Sequence, residues 1–153
     1  IEMSGDLNGE FYLLHQTGNR FYDDFLNKAH KSKYLKAFAY IDNIDLFYGV
    51  SDLVIASSGA MSLAEISSVG RPSILIPKAY TTENHQEYNA RTYVDHGASL
   101  MILEKDLSGA LLKKEIMSII KDREKIKQMG EKAYDLADEE ALDKIYQQIE
   151  ELI

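Results

Sequence analysis

Asp52–Pro77 reads DLVIASSGAMSLAEISSVGRPSILIP, two short apolar runs flanking a stretch with helical spacing. Leu53-Val54-Ile55-Ala56 and Ile74-Leu75-Ile76 are near-continuous apolar runs, the pattern of strands buried on both faces. Between them, Leu63, Ile66 and Val69 recur every third residue and form the apolar side of a helix that Gly70 stops. A strand, a helix and a second strand joined this tightly form a βαβ unit, which makes the two strands parallel neighbours.

The same alternation runs outward in both directions. Upstream, EFYLLHQTG (Glu10–Gly18) reads as a strand closing in a polar turn. NRFYDDFLNKAHKS (Asn19–Ser32) follows as a helix with Phe21, Phe25, Leu26 and Ala29 on one face. LKAFAYI (Leu35–Ile41) is a second strand and NIDLFYGVS (Asn43–Ser51) a short helix. Downstream, NHQEYNARTYVDHG (Asn84–Gly97) is a helix capped by Asn84 or Thr82, and SLMILE (Ser99–Glu104) is a fifth strand. Two amphipathic helices over 107–121 and 123–152 complete the chain, with the acidic run Asp135–Glu140 as a solvated face of the second. This order predicts an α/β fold: one Rossmann-like parallel sheet of five strands with helices on both faces. Val54, Ile55, Ile74, Leu75 and Ile76 are expected to be fully buried. No repeat, low-complexity tract or linker interrupts residues 1–153, so a single domain is expected.

Composition narrows the chemistry. With 153 residues, 45% of them hydrophobic, the chain can bury a real core. A formal net charge of −8 argues against a nucleic-acid partner. A bound phosphate would therefore be held by backbone N–H groups and a helix dipole rather than by a basic surface. There is no cysteine, which excludes disulfides and thiolate metal sites. No apolar run approaches the roughly 18 residues of a membrane span. The histidines and carboxylates show no metal-ligand spacing, and no Walker loop, G-x-G-x-x-G or G-x-S-x-G motif is present. Neither a metal nor a cofactor is expected.

In parallel α/β sheets, ligands bind beyond the carboxyl ends of the strands. His15-Gln16-Thr17-Gly18, Ser57-Ser58-Gly59 and the loop Lys78–His85 fall at such ends. Small residues at Ser57–Ala60 let a helix N-terminus approach an anion, although a tight βα turn with no ligand has the same composition. Glu65 follows Gly59 by six residues, more than one turn into the helix. Its carboxylate can accept two hydrogen bonds from a vicinal diol, as in ribose recognition. By spacing alone, a solvated glutamate is the commoner reading. Gln86 and Asn89 stand at i and i+3, so they share a helix face near His85. Two amides and an imidazole suit sugar hydroxyls, and they also suit an ordinary solvated helix start. His15 ends a strand, where a lone histidine is more often satisfied by backbone than by a ligand.

Taken together, HQTG, DLVIASSGAMSLAEISSVGRPSILIP, ENHQEYNA and DHGASLMILEKDLSGALL resemble, in order and spacing, the C-terminal domain of the MurG family. Members of that family transfer N-acetylglucosamine from UDP-N-acetylglucosamine to the undecaprenyl-linked muramyl-pentapeptide in peptidoglycan synthesis. The resemblance implies one half of a GT-B architecture, working in the bacterial cytoplasm at the inner face of the membrane. It implies Glu65 on the ribose diol, and Gly59, Ala60, Met61 and Ser62 against the diphosphate. It also implies backbone of Ile41 at the uracil, and His85, Gln86 and Asn89 on the N-acetylglucosamine, with His15 on the donor side. Two departures stand out. Ser57 replaces the family's usual arginine, and neither the glycine-rich loop after the family's first strand nor the N-terminal acceptor domain has a counterpart here. The resemblance thus makes the chain a piece of the enzyme, without a catalytic residue of its own, weak in donor binding and prone to self-association. Two other readings remain open: a non-catalytic or split-subunit interaction module, and another enzyme of the same nucleotide sugar such as a 2-epimerase.

Overall fold

The computed structural model describes residues 9–79, 84–138 and 140–152; the proposed cap Thr82 lies outside them. Strands and helices alternate as β1 Leu13–Gln16, α1 Tyr22–Lys28, β2 Leu35–Phe38, α2 Ile44–Val50, β3 Val54–Ala56, α3 Ala60–Ser68 and β4 Ser73–Leu75. The chain continues with α4 His85–Asp95, β5 Ser99–Met101, α5 Gly109–Ile120, α6 Arg123–Tyr134 and α7 Ala141–Glu150. Single 3-10 turns at Asn19–Phe21 and Glu104–Asp106 precede α1 and α5. Asn84 is the residue before α4, but it adopts a left-handed φ of 56° and its side chain makes no cap hydrogen bond.

All described strand pairs are parallel. β3 and β4 pair with Ile55 opposite Ile74, and β4 and β5 with Ile74 opposite Leu100. β4 lies between two strands, and its residues Ser73, Ile74 and Leu75 are completely buried. Alternation along β4 sends its side chains to opposite faces. Leu75 joins Leu63 and Ile66 of α3 and Ala90 and Tyr93 of α4 in one cluster. Ile74 joins Ile116 and Ile119 of α5 and Met129 of α6 in another. Helices therefore cover both faces, as expected, and each fully buried aliphatic side chain contributes about 1.5–3 kcal/mol.

The expected single sheet of five strands is interrupted. β1 and β2 form their own parallel ladder, Leu13 opposite Leu35, and no ladder joins β1 to β3 among the described residues. With a partner on one side only, β3 stays partly exposed; Val54 and Ile55 are half-buried, as is Ile76 beyond β4, rather than fully buried. The two ladders are tied by packing. Phe11, just before β1, rests on the Ile74 cluster, and a salt bridge joins Lys121 to Glu10 at 3.3 Å.

The last expected helix is also two. Asp135–Asp138 and Glu140, from the acidic run expected on a helix face, fall instead in the break between α6 and α7. Carboxylates there oppose the negative end of the α6 dipole, which favours ending the helix. The break lets Leu136 fold back on the core, while Asp138 accepts from the Glu140 N–H at 3.2 Å and from Lys144 at 2.8 Å. α5 and α6 begin on side-chain caps: Ser108 accepts from the Leu111 N–H and Asp122 from the Lys125 N–H. α6 also presses against the turn after α3. A Cβ on Gly130 would stand 2.6 Å from the Gly70 carbonyl oxygen, and Gly70 itself holds φ 58°, so glycine fits both places.

Candidate functional site

The turn Ser57-Ser58-Gly59 carries the chain from β3 straight into α3, and its neighbours hold it from below. Ser58 is fully buried; its hydroxyl donates to the Gln86 carbonyl at 2.6 Å, and the Asn89 amide donates to the Ser58 carbonyl at 3.2 Å. The Gln86 side-chain oxygen accepts from the Lys78 N–H at 3.0 Å, fixing the exit from β4 to the same helix. Gln86 and Asn89 thus share the face of α4 that braces two strand-end loops. Asn89 Oδ1 and Gln86 Nε2 keep hydrogen-bonding capacity for a ligand among the described residues.

Above this brace the start of α3 is open. A Cβ on Gly59 would meet nothing within 4 Å, and Met61 is 80% exposed. The first intrahelical bond runs from the Leu63 N–H to the Gly59 carbonyl, so helix geometry gives the N–H groups of Ala60, Met61 and Ser62 no partner within α3. No acidic side chain stands in the first turn. An anion is favoured there by the exposed N–H groups and by the positive end of the dipole.

Glu65 stands one turn beyond Met61 on the same side of α3, half-buried. The Tyr48 hydroxyl donates to its Oε2 at 2.9 Å. Burial first, then the bond to Glu65 and its negative charge, push the Tyr48 pKa up to about 12. Arg71, in the turn after α3, donates from Nε to the Tyr48 carbonyl at 3.0 Å and from Nη2 to the Gly49 carbonyl at 2.9 Å. These carbonyls belong to the last turn of α2, where a cation suits the helix dipole.

Past β2, Ile41 is buried and its N–H donates to the Gln16 side-chain oxygen at 2.9 Å. Gln16 thereby links the end of β1 to the loop that follows β2. His15 lies on Phe25 of α1 with ring centroids 4.7 Å apart, and burial holds its pKa below the ordinary imidazole value. It is a packed aromatic neighbour within β1. His85 opens α4. Among the described residues, no group of three metal-ligating side chains is arranged to hold an ion.

The sequence-level candidates Gly59–Ser62 and Glu65 share the start of α3, and Gln86 and Asn89 lie directly beneath their turn. Tyr48 and Arg71 were missed, and Gln16 was marked only as part of a polar strand end, not as the partner of Ile41. Nothing local marks these contacts, since each reaches a residue 17 or more positions away.

Comparison with known proteins bears on these features. Residues 2–149 match the glycosyltransferase family 28 C-terminal domain, and the chain belongs to that family. A UDP-N-acetylglucosamine–N-acetylmuramyl-(pentapeptide) pyrophosphoryl-undecaprenol N-acetylglucosamine transferase of Finegoldia magna is 44% identical over 147 residues, covering 93% of this chain and 40% of that protein. A protein of the same name from Clostridioides difficile is 40% identical over 146 residues, covering 94% of this chain and 36% of that protein. The chain therefore spans about two fifths of the length of these relatives. Among solved structures, MurG of Acinetobacter baumannii superposes with a TM-score of 0.84 over 98% of this chain and 44% of that one, at 21% identity. The glycosyltransferase VinC, solved in complex with dTDP, superposes with a TM-score of 0.72 over 87% of this chain and 31% of its own, at 13% identity. The fold is the Rossmann-like α/β arrangement of one half of a GT-B glycosyltransferase.

Proposed function

We propose that this chain is the donor-binding domain of a glycosyltransferase that moves N-acetylglucosamine from UDP-N-acetylglucosamine onto a lipid-linked muramyl-pentapeptide. The observation that carries the reading is Glu65, half-buried one turn beyond an open helix start and already ordered by a hydrogen bond. In this reading the diphosphate rests on the N–H groups at Gly59–Ser62, where the helix dipole offsets its charge without a basic surface. Glu65 accepts both ribose hydroxyls, and the carbonyl of Ile41 faces the uracil. The amide ends of Gln86 and Asn89 turned away from the brace meet the sugar, together with His85. His15, packed on Phe25, supports β1 from behind the donor.

The domain's part in the reaction is binding and orientation. It holds the sugar's anomeric carbon toward the acceptor and stabilises the departing diphosphate. A base for the acceptor hydroxyl and the surface that holds the lipid-linked substrate belong to the acceptor side of the enzyme. Such an enzyme works as a peripheral protein on the cytoplasmic face of the membrane, in keeping with its lipid-linked acceptor. No described helix is long and apolar enough to cross a membrane.

Glu65→Ala in a full-length transferase carrying this domain tests the reading. Loss of two charge-assisted hydrogen bonds, each worth about 1.5–3 kcal/mol, raises the KM for UDP-N-acetylglucosamine at least tenfold. Thermal stability changes little. An unchanged KM would leave Glu65 as a helix-surface residue.

A further inference from the structure

We propose that Tyr48 is a positioning residue for the nucleotide, its hydroxyl holding the Glu65 carboxylate in the orientation that receives the ribose diol; this rests on the donor-binding reading of Glu65. The two side chains come from different helices, and their oxygens lie 2.9 Å apart. An ionised carboxylate offers about four lone-pair sites. Tyr48 occupies one of them, on Oε2, which leaves Oε1 and the other site of Oε2 for two hydroxyls. Tyrosine and diol therefore bind together rather than compete.

The direction of the bond is fixed. With its pKa pushed up to about 12 by burial and by Glu65, the phenol keeps its proton and is the donor throughout the neutral range. A glutamate on a half-exposed helix face otherwise has several rotamers, and ordering it on binding costs affinity. Tying it down in the empty site removes part of that cost.

Tyr48 is itself held from several sides. Its ring packs against the cluster that contains Leu63 and Ile66 of α3. Arg71 clamps the carbonyls of Tyr48 and Gly49, and the neighbouring Phe47 meets Phe38 of β2 edge-on with centroids 5.0 Å apart. The hydroxyl is thus aimed by β2, α2 and the turn after α3. A tie needed only to join α2 to α3 is already supplied by Arg71, which leaves the Tyr48–Glu65 bond available for a role at the site.

The test uses a full-length transferase carrying this domain, with Tyr48→Phe, Glu65→Ala and the double variant, each checked for folding by thermal unfolding. UDP-N-acetylglucosamine and its 2′-deoxyribose analogue serve as donors. Tyr48→Phe is expected to raise the KM for the natural donor about fivefold, with kcat within about twofold, because an interaction shared by ground and transition states is weakened. Discrimination against the 2′-deoxy donor shrinks in parallel. In the Glu65→Ala background, Tyr48→Phe adds nothing, because its effect passes through the carboxylate. An unchanged KM in Tyr48→Phe beside a raised KM in Glu65→Ala overturns the role of Tyr48 and leaves Glu65 on the ribose. Equal effects of Tyr48→Phe in both backgrounds overturn it as well. An unchanged KM in Glu65→Ala removes the ribose reading, and this inference with it.

Discussion

At the scale of single residues, the tightest constraint is the contact between α6 and the turn after α3. Gly130→Ala gains about 1 kcal/mol of helix propensity. Against that, the new Cβ would lie 2.6 Å from the Gly70 carbonyl oxygen, a backbone atom that cannot swing aside as a side-chain tip can. Overpacking of this kind costs about 1–3 kcal/mol. The clash outweighs the gain, and the variant is expected to lose up to about 2 kcal/mol, read as a fall of up to about 8 °C in unfolding midpoint. A midpoint equal to or above the parent's would show that α6 moves away without cost. Of this contact the sequence shows only a glycine inside a helical pattern. Gly70 is different, since its role as a helix stop is legible in Asp52–Pro77 and its left-handed φ agrees.

At the scale of elements, the informative feature is the interruption between β1 and β3. Among the described residues, both strands carry a ladder on one side only. Their side chains show the consequence: Leu14 of β1 is 40% exposed, whereas Leu75 of the doubly paired β4 is wholly buried. Unpaired edges bearing apolar side chains invite pairing with another chain. Residues 1–153 by themselves are therefore expected to self-associate as concentration rises, with a mass above that of the monomer by light scattering. A single monomeric species at high concentration would contradict this. The strands were legible because buried parallel strands write continuous apolar runs. The interruption was not, because periodicity records how far a residue is buried and not which strand lies beside it.

At the scale of the whole molecule, binding and catalysis separate. In the proposed reading, the start of α3 offers an anion its N–H groups, and Glu65 offers a diol its carboxylate. Transfer to an acceptor hydroxyl also needs a group that takes its proton and a surface that holds the acceptor in line. Neither has a candidate among the described residues. His15 is packed on Phe25, and His85 opens α4, where the proposed function gives it to the donor sugar. Residues 1–153 alone are expected to transfer no detectable N-acetylglucosamine to a lipid-linked acceptor. They are expected to bind UDP weakly, in the high micromolar range or above, because the contacts proposed for the nucleotide are few, namely the N–H groups at the start of α3, Glu65 and backbone of Ile41. Turnover by the purified chain would overturn the division of labour, and calorimetry with UDP checks the affinity.

What the sequence determined by itself is local or nearly so. Apolar runs and three-residue spacing set the order of strands and helices. The short βαβ linkage made β3 and β4 parallel, and glycines marked where α3 begins and where it stops. These follow from steric and solvent preferences that each segment expresses within a few residues of itself. The tertiary structure alone decided that Tyr48 meets Glu65, that Gln16 occupies the Ile41 N–H, and that Gln86 and Asn89 brace the turn before α3. It also decided that Asp135–Asp138 and Glu140 fall between helices rather than lining one. In each case the partner is remote in sequence or the outcome depends on what packs nearby. A hydrogen bond across 17 residues or more leaves no periodic trace, because its geometry exists only after the helices have been laid against the strands.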